Sequence, residues 1–433
     1  MPSSKEIKAR HDAVMFPNTA NYYADAVALK EGKGHRVTDW DGKTYLDFFG
    51  GILTVSVGHC NERVNAKVKA QIDRLSHMST LYPALPMVEL AEKLVSLAPG
   101  KLDKCFFTAS GTEADETAVN LAQVSTGKQE LVALKHGYSG RSMLAQALTA
   151  HSPYRSVPTQ IAAIKHAAAP YCYRCPFKQK PESCALECAQ DVEDVIQTTT
   201  TGQIAGFLGE PIQGVGGFIT PHPDYYKAVH GIVKKYGGVF ISDEVQTGFG
   251  RTGKMWGIQN FGVEPDIMTM AKGIANGFPL AATLTTTDIA MSLKGKGSIS
   301  TFGGNPISVS AGLAVLEEIE EQHLVDNCKA RGAELREGLE YLKRQFPKTI
   351  GDVRGLGLMQ ALELVVDEKA GDRTHNPGAV LKLFEETKKR GLLIGRGGLK
   401  ANIVRISPML NVGPGEIKEA LKILEDSFAS FAS

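Results

Sequence analysis

The chain has 433 residues, of which 43% are hydrophobic and 22% charged, and its formal net charge at pH 7 is +1. These values are typical of a globular protein with two or three domains around a large core. The small net charge does not indicate a surface for nucleic acid or anionic membranes, and no run approaches the roughly 18 apolar residues of a spanning helix. Because the first residues, MPSSKEIKARHDAV, favour neither a secretory signal nor a transit peptide, we expect a cytoplasmic protein.

The pattern along the chain divides it into three regions. Residues 1–60 carry short strand-like runs, and the Asp-Gly turn within residues 39–47 predicts a hairpin. Strand-like and helix-like segments alternate over residues 61–310, as in a parallel sheet with helical crossovers. Residues 311–433 form a smaller region that ends in an apolar stripe at helical spacing, which we interpret as a core face. The stripe consists of Ile417, Ala420, Leu421, Leu424 and Phe428.

Two short apolar runs, at residues 239–241 and 267–270, have the length of buried strands in a parallel sheet. Asp243 follows the first run and Lys272 follows the second. Since ligands of open α/β sheets bind beyond the carboxyl ends of the strands, we expect both side chains to enter one crevice. Such a pair suits pyridoxal phosphate, which needs a lysine for a Schiff base and a carboxylate to keep its pyridine nitrogen protonated.

The residues around this pair resemble the cofactor-binding core of class III aminotransferases. DEVQTGFGRTG at 243–253 and AKGIANGFPLAA at 271–282 carry the resemblance, which extends over essentially the whole chain. Three further segments are most similar to the alanine–glyoxylate aminotransferase 2 subgroup: GGILTVSVGHC, AGFLGEPIQGVGG and STFGGNP. The resemblance implies an α/β fold of fold type I, with a large domain around a mostly parallel seven-stranded sheet. A small α+β domain would be built from both termini.

A turn of small residues at 108–114 follows the strand-like residues 105–107 and opens a helical pattern. Such a turn offers free backbone N–H groups and the positive end of the helix dipole, which suit a phosphate. The same Ser-Gly-Thr sequence could also be a simple N-cap. In the family, the matching turn holds the cofactor phosphate, which implies this role for Ser110, Gly111 and Thr112.

The resemblance also implies which residues surround the cofactor ring. Tyr138 would stack on one face of the ring, Val245 would pack under the other, and Gln246 would hydrogen-bond the phenolic oxygen. Asp243 would pair with the pyridine nitrogen, and Lys272 would act as general acid and base after releasing the cofactor.

Two further positions concern the match to the family and the oligomeric state. Ser139 stands where the family commonly has His or Trp. Thr301 lies in the segment whose threonine reaches the phosphate of the neighbouring subunit in the family. The resemblance therefore implies a homodimer or a dimer of dimers.

Four residues are expected on the substrate side. Ile52 lies in a glycine-rich stretch that could equally be a bend in the core. Arg141 matches an arginine that faces a substrate carboxylate in the family, although pairing with a surface acid is an alternative. The resemblance also implies that Glu210 holds Arg405 while an ω-amino acid binds and releases it to the α-carboxylate of an α-amino acid.

The seven cysteines are an odd number, which argues against a disulfide framework. Four of them fall within 17 residues in the pattern C-x2-C-x8-C-x3-C, namely Cys172, Cys175, Cys184 and Cys188. They could close a structural zinc site or remain reduced thiols in a surface excursion. We assign no metal to the active site and no catalytic role to these thiols.

The predicted reaction is transamination with pyridoxal phosphate. Alanine, β-alanine, 4-aminobutyrate or a related ω-amino acid would donate the amino group, and pyruvate or glyoxylate would accept it. The motifs do not exclude a racemase of the same fold. A dialkylglycine decarboxylase is disfavoured because such enzymes carry Gln where this chain has Ile52. A catalytically silent dimer is the alternative outside enzymes, and we expect neither nucleic acid nor membrane as a partner.

Overall fold

A computed structural model describes residues 2–158 and 161–432. The N-terminal elements are α1 (Ser4–Val14), β1 (Leu29–Lys33), β2 (Arg36–Asp39), β3 (Thr44–Asp47) and α2 (Gly50–Leu53). Strands β2 and β3 pair antiparallel, which confirms the predicted hairpin. β3 also pairs in parallel with a strand near the other end of the chain, β14 (Leu392–Leu393). The four-stranded sheet β1-β2-β3-β14 therefore joins both terminal regions.

The middle of the chain forms the main sheet and the helices around it. Its strands are β4 (Lys104–Thr108), β5 (Leu131–Leu134), β6 (Ile164–Ala167), β7 (Gly206–Gly209), β8 (Val239–Asp243), β9 (Ile267–Met270) and β10 (Ala281–Thr285). Its helices are α3 (Glu62–Arg74), α4 (Leu85–Leu97), α5 (Gly111–Thr126), α6 (Met143–Leu148), α7 (Glu187–Thr199), α8 (Tyr225–Lys235) and α9 (Thr287–Met291). The strand order is β4-β10-β9-β8-β7-β5-β6, and only β10 runs antiparallel to its neighbours. The predicted, mostly parallel seven-stranded sheet is confirmed.

The central strands are apolar because helices cover both faces of the sheet. β5, β7, β8 and β9 are buried at every position, as continuous apolar runs in parallel sheets predict. Helix α5 packs against β9 and β10, whereas α7 and α8 pack against each other and reach β6 and β8. For these four central strands, a ligand can therefore be reached at the strand ends but not along the covered faces.

The last region contains α10 (Pro306–Glu321), α11 (Leu324–Gln345), β11 (Ile350–Leu356), β12 (Met359–Asp367), β13 (Asp372–His375), α12 (Pro377–Lys389), β15 (Gly395–Gly397), β16 (Ile403–Ile406) and α13 (Pro414–Ala429). Its strands form an antiparallel sheet in the order β11-β12-β16-β15, with β13 beside β12. The predicted apolar stripe lies on α13 and faces the core. Among the described residues, no helix is long and apolar enough to cross a membrane.

Helix α11 passes very close to the turn between β11 and β12. A Cβ added to Gly332 would lie 2.5 Å from the carbonyl carbon and oxygen of Gly357. Backbone atoms cannot rotate out of the way as a flexible side chain can. The close packing of helix and turn therefore requires glycine at position 332.

We expect Gly332→Ala to lower the free energy of unfolding by about 1–3 kcal/mol, the usual cost of overpacking. Gly231→Ala is the matched control, because Gly231 is an exposed position of helix α8 with no atom within 4 Å of its added Cβ. The control should raise the free energy of unfolding by up to about 1 kcal/mol through helix propensity. Urea unfolding of both variants measures the difference, and equal shifts of the same sign would contradict the close approach.

Candidate active site

The carboxyl ends of β8 and β9 open into a cavity of about 300 Å³. Asp243 is the last residue of β8 and lies in register with Thr269 of β9, and Lys272 comes two residues after β9. Both Asp243 and Lys272 line the cavity. The structure therefore brings the predicted carboxylate and amine into one crevice.

Burial controls the charges of this pair. Asp243 is 3% exposed, and its Oδ1 accepts a hydrogen bond of 2.9 Å from the Val245 backbone N–H. Burial raises the pKa of Asp243 to about 6, whereas the Val245 N–H and the Lys272 charge lower it. Burial lowers the pKa of Lys272, and the nearby carboxylates of Asp243 and Glu210 oppose that shift. The pKa values of acid and base thus move toward each other, as is common in catalytic sites.

The predicted phosphate turn is the N-terminus of the 16-residue helix α5. The Ser110 hydroxyl accepts from the Glu113 N–H at 3.3 Å, and the Glu113 carboxylate accepts from the N–H groups of Ala109 and Ser110. The next two N–H groups, of Gly111 and Thr112, have no acceptor among the described residues. Both residues line the cavity, so two free donors and the helix dipole favour an anion there.

Two glycines let the walls of the cavity approach this turn. A Cβ on Gly111 would lie 3.2 Å from the methyl groups of Val245. A Cβ on Gly140, whose φ is +137°, would lie 2.0 Å from the Thr112 hydroxyl. The turn, Val245 and the segment around Gly140 therefore form one closely packed wall.

The cavity is also lined by an aromatic ring and an unsatisfied amide. Tyr138 lines the cavity and contacts Tyr154 edge to face, with ring centroids 5.3 Å apart. Gln246 is buried, and its Oε1 has no hydrogen-bond partner in the described part of the chain. Since buried polar atoms are rarely left unpaired, this amide marks a place for a polar ligand. An anion site, a carboxylate, an amine and this amide are the groups that pyridoxal phosphate requires.

Asp115 is a cavity residue that the sequence analysis missed. It lies on α5, is 1% exposed, and its Oδ1 is 2.8 Å from the Thr269 hydroxyl oxygen. Burial raises the pKa of Asp115 well above its ordinary value, and the charge of Asp243 raises it further. The sequence did contain a sign that Asp115 is buried, because it lies at helical spacing from the apolar residues Ala118, Val119 and Ala122.

Glu210 lies just beyond the end of β7 and is 5% exposed. Its carboxyl group accepts hydrogen bonds from the backbone N–H groups of Tyr138 at 3.1 Å and Gly214 at 2.7 Å. Burial raises the pKa of Glu210 to about 8, so this group is mostly neutral at pH 7. It lines the cavity beside Lys272.

Arg405, on β16, is 3% exposed and binds neutral oxygens. Its Nε donates to the Arg396 carbonyl at 2.9 Å, and an Nη donates to the Gly214 carbonyl at 3.3 Å. The predicted ion pair with Glu210 is absent among the described residues. The reason is that backbone N–H groups already occupy the Glu210 carboxyl group, so the two side chains meet only through Gly214.

Besides Arg405, three predicted residues do not line the cavity of the single chain. Ile52 is 45% exposed, and its φ of +67° is a left-handed conformation that strains a β-branched residue. Arg141 is exposed and forms no ion pair in the described ranges. Burial raises the pKa of the Tyr138 phenol, and the charge of Arg141 partly opposes that shift. Thr301 is exposed between Ile299 and Phe302, which are themselves 67% and 64% exposed.

The four clustered cysteines lie away from this cavity. Their thiols line a separate small cavity of about 20 Å³ together with His222, and none forms a disulfide. Within the part of the chain that the structure describes, no three His, Cys, Asp or Glu residues are arranged to hold a metal ion. Burial raises the pKa of Cys188 to about 12, so it is a thiol at neutral pH.

Comparisons with known proteins give the family. A model described as aminotransferase class-III matches residues 19–428. The chain is 42% identical over 409 residues to alanine–glyoxylate aminotransferase 2 homolog 2, mitochondrial, of Arabidopsis thaliana, covering 94% of this chain and 84% of that protein. It is 34% identical over 429 residues to leucine/methionine racemase of Thermococcus litoralis. That match covers 98% of this chain and 95% of the racemase.

Among solved structures, an amine transaminase from an uncultivated Pseudomonas species with bound pyridoxal phosphate has a TM-score of 0.89 and 31% identity. The match covers 96% of this chain and 98% of that one. The resemblance stated from the motifs and the fold-type-I architecture are confirmed. The chain belongs to the class-III aminotransferases, and it is an enzyme that uses pyridoxal phosphate to transfer amino groups between amino acids and 2-oxo acids.

Proposed function

We propose that this enzyme moves the amino group of alanine, or of an ω-amino acid such as β-alanine or 4-aminobutyrate, to glyoxylate or pyruvate. The observation that carries the proposal is the cavity that joins Lys272, Asp243 and the free N–H groups of a helix N-terminus. A buried arginine, Arg405, lies close enough for its charge to act on Lys272. The name of the Arabidopsis relative supports alanine as donor and glyoxylate as acceptor.

The residues of the cavity would hold the cofactor as follows. The N–H groups of Gly111 and Thr112, next to Ser110, would bind its phosphate. Tyr138 and Val245 would cover the two faces of its ring. When bound, pyridoxal phosphate supplies an aldehyde that takes up the amino group and a ring that withdraws electrons.

The polar groups of the cavity would control the protons. Asp243 would keep the pyridine nitrogen protonated, and the Gln246 side-chain amide would hydrogen-bond the phenolic group. The Gln246 Oε1, which lacks a partner among the described residues, would accept when that group carries its proton. Lys272 would remove the proton from the substrate carbon that bears the amino group. Because burial lowers the pKa of Lys272, the neutral amine needed for this step is easier to form than in water.

Arg405 would bind the carboxylate next to the reacting carbon. Its guanidinium is buried against the ring of Phe49, 4.9 Å from the centroid, and pairs with no carboxylate among the described residues. A substrate carboxylate would therefore supply the charge partner that this buried cation lacks. Glu210 would need to lose its proton and its backbone partners before it could take Arg405 from that carboxylate.

Arg141 and Ile52 would act farther from the reacting carbon. Arg141 is exposed beside Tyr138, where it could meet the distal carboxylate of an ω-amino donor. Ile52 belongs to the same stretch as Thr54, which lines the cavity, and would form part of its entrance.

The active form would be a homodimer or a dimer of dimers, with Thr301 reaching the cofactor phosphate of the second copy. The segment that contains Thr301 is hydrogen-bonded to the segment around Thr80 through Ser300. Together these segments expose an apolar surface, which on a monomer would be unfavourable and which a second copy would cover. The exposed apolar side chains are Leu81, Tyr82, Leu85, Ile299 and Phe302.

Two broader predictions also stay proposals. The division into residues 1–60, 61–310 and 311–433 is supported by the pairing of β3 with β14, which links the first and last regions. A cytoplasmic location rests only on the polar first residues, whereas the name of the Arabidopsis relative contains the word mitochondrial.

A racemase is the second candidate, because the Thermococcus relative is one and covers nearly the whole chain. Racemisation and transamination need the same lysine and cofactor but differ in their need for a 2-oxo acid. Incubating L-alanine without any 2-oxo acid separates them. Steady formation of D-alanine would favour the racemase, whereas turnover that requires an added 2-oxo acid favours the proposal.

Lys272 should be the residue that binds the cofactor covalently. Borohydride reduction of the holoenzyme followed by peptide mapping should label Lys272, and Lys272→Ala should lose the label and turnover. Lys135→Ala is the control, because Lys135 also lies just beyond the end of a strand of the same sheet but is exposed. A label on any other lysine would contradict this assignment.

Mixing Thr301→Ala with Lys272→Ala chains should restore part of the activity that each variant lacks. If Thr301 binds the cofactor phosphate in the active site of the other subunit, a mixed dimer has one site that carries both substitutions and one site that carries neither. The measurement is turnover after subunit exchange, compared with each variant alone. No recovery, although mass spectrometry shows the mixed dimer, would mean that Thr301 does not cross the interface.

Substitution of Arg405 and Glu210 should change substrate preference. Arg405→Lys should lower kcat/KM for pyruvate at least about tenfold, because a bidentate contact is lost. Glu210→Ala should raise the kcat/KM ratio of alanine to 4-aminobutyrate. Arg396→Lys is the control, because Arg396 contacts Arg405 only through its backbone carbonyl. An unchanged ratio in Glu210→Ala would show that Glu210 does not select between donors.

A further inference from the structure

The structure has a second cavity, of about 260 Å³, whose described lining residues are all different from those of the active site. It lies between the end of β5, the segment that follows β6 and the turn that leads into β16. Ligand sites in proteins usually measure about 300–1,000 Å³, so the second cavity suits a molecule smaller than most drugs.

The lining of the second cavity is cationic. Lys135, Arg174 and Lys400 line it, whereas none of its described lining residues is Asp or Glu. The active-site cavity, by contrast, is lined by three carboxyl groups and one lysine. A concave surface with one sign of charge concentrates the electric field and attracts a ligand of the opposite sign. The second cavity therefore favours an anion.

Of the three cations, only Arg174 pairs with a carboxylate within the described ranges. Its Nε donates to Glu363, and Arg354 donates to Glu363 and to Asp352, both at 2.8 Å. Two guanidinium groups thus face two carboxylates, and their charges balance. The two lysines form no ion pair with any described residue, so two positive charges remain without a partner.

The remaining lining of the second cavity is largely apolar. A short hydrocarbon chain gains free energy from contact with such a surface, whereas a hydrated inorganic ion does not. The backbone N–H groups of Leu399 and Lys400 have no acceptor in the described part of the chain, so they can donate to a carboxylate. The apolar lining residues are Ala168, Ala169, Pro176, Leu399 and Ile403.

We propose that the second cavity binds a short-chain dicarboxylate, with the ammonium groups of Lys135 and Lys400 as partners of its two ends. Its hydrocarbon chain would contact the apolar lining. Arg174 would add a donor, because its Nη1 has no hydrogen-bond partner among the residues described. This ligand would bind in addition to the substrates of the active site.

The charges of the second cavity converge although they come from separate segments. His375 lines the cavity, and burial lowers its pKa. The charges of Arg174 and Lys400 lower this pKa further, whereas Glu363 opposes the shift. One cation from the segment after β6 and one from the turn before β16 therefore act on the same point.

Two segments connect the second cavity to the active site. His136 lines the second cavity, and Tyr138, two residues later, lines the active site. Gly216 also lines the second cavity, and the carbonyl of Gly214 accepts a hydrogen bond of 3.3 Å from Arg405. A ligand in the second cavity would therefore lie only a few residues from groups that act on the substrate.

The turn at residues 398–401 strengthens this connection. The Gly398 N–H donates to the Val215 carbonyl at 2.9 Å, and Ile403 lies on the same face of β16 as Arg405. A dicarboxylate that holds this turn against Val215 would also hold Arg405 in place. The expected effect is a lower KM for a 2-oxo acid, and this effect rests on the role proposed above for Arg405.

Isothermal titration calorimetry of the holoenzyme with succinate tests the binding. Lys135→Ala and Lys400→Ala should each weaken succinate binding at least about threefold, because each removes one charge partner. Lys382→Ala is the matched control, since Lys382 is exposed on α12 and does not line the second cavity. The proposal is overturned if succinate does not bind the wild type, or if the control loses as much affinity as the other two variants.

Other anions test the chemical class of the ligand. At equal ionic strength, acetate should bind at least about tenfold more weakly than succinate, because it reaches only one lysine. Inorganic phosphate should also bind more weakly, because it has no chain to contact the apolar lining. Equal affinity for phosphate and succinate would overturn the assignment to a dicarboxylate.

A variant of the active site shows where succinate binds. Arg405→Lys should keep the affinity for succinate within about twofold, because Arg405 does not line the second cavity. If Arg405→Lys loses succinate binding and the variants of Lys135 and Lys400 keep it, the ligand occupies the active site and the proposal is wrong.

Steady-state kinetics test the connection between the two cavities. Saturating succinate should lower the KM for pyruvate at least about twofold and leave kcat within about twofold. The double variant Lys135→Ala, Lys400→Ala should keep the basal KM and kcat and lose this response. An unchanged KM at saturating succinate, or a rise in KM, overturns the connection. If pyruvate is not an acceptor, the proposed function fails, yet calorimetry still reports the binding, so the two failures can be told apart.

Discussion

The active site depends on the desolvation of two opposite charges at the ends of neighbouring strands. β8 and β9 run parallel and in register, so the residues after them reach the same edge of the sheet. There, burial raises the pKa of Asp243 and lowers that of Lys272, while each charge partly stabilises the other. An exposed pair would keep ordinary pKa values and would interact only weakly through water. The sheet therefore supplies both the position and the dry surroundings that make this acid and base reactive.

The rest of the cavity is arranged to receive negative charge. The N–H groups at the start of α5, the amine of Lys272 and the guanidinium of Arg405 all favour anions. The additional acids oppose this preference less than exposed carboxylates would, because burial raises the pKa of both Asp115 and Glu210 and so favours their neutral forms.

Local patterns in the sequence predicted the parts of the site that local structure determines. The strands β8 and β9, the turn before α5 and the mostly parallel sheet follow from apolar runs and small residues at strand ends. The ion pair between Glu210 and Arg405 could not be judged in this way. Whether the ion pair forms depends on the backbone N–H groups of Tyr138 and Gly214, which bind the Glu210 carboxyl group. These groups meet only in the folded chain, so the sequence pattern does not reveal the contact. Asp115 was missed for a related reason, since a carboxylate on a helix usually faces water.

A single asparagine explains why two distant motifs belong to one site. Asn276 follows Lys272 by one turn, and its Oδ1 accepts hydrogen bonds from the N–H groups of Ser56 and Val57 at 2.8 and 3.0 Å. Its Nδ2 donates to the Gly58 carbonyl at 2.9 Å. The backbone at Lys272 and Asn276 has positive φ values of 45° and 49°, a strained conformation that such contacts help to hold. These hydrogen bonds fix the loop at residues 272–276 to the glycine-rich stretch at 50–60. The Lys272 amine and the part of the cavity wall that contains Thr54 are therefore held at a fixed distance from each other.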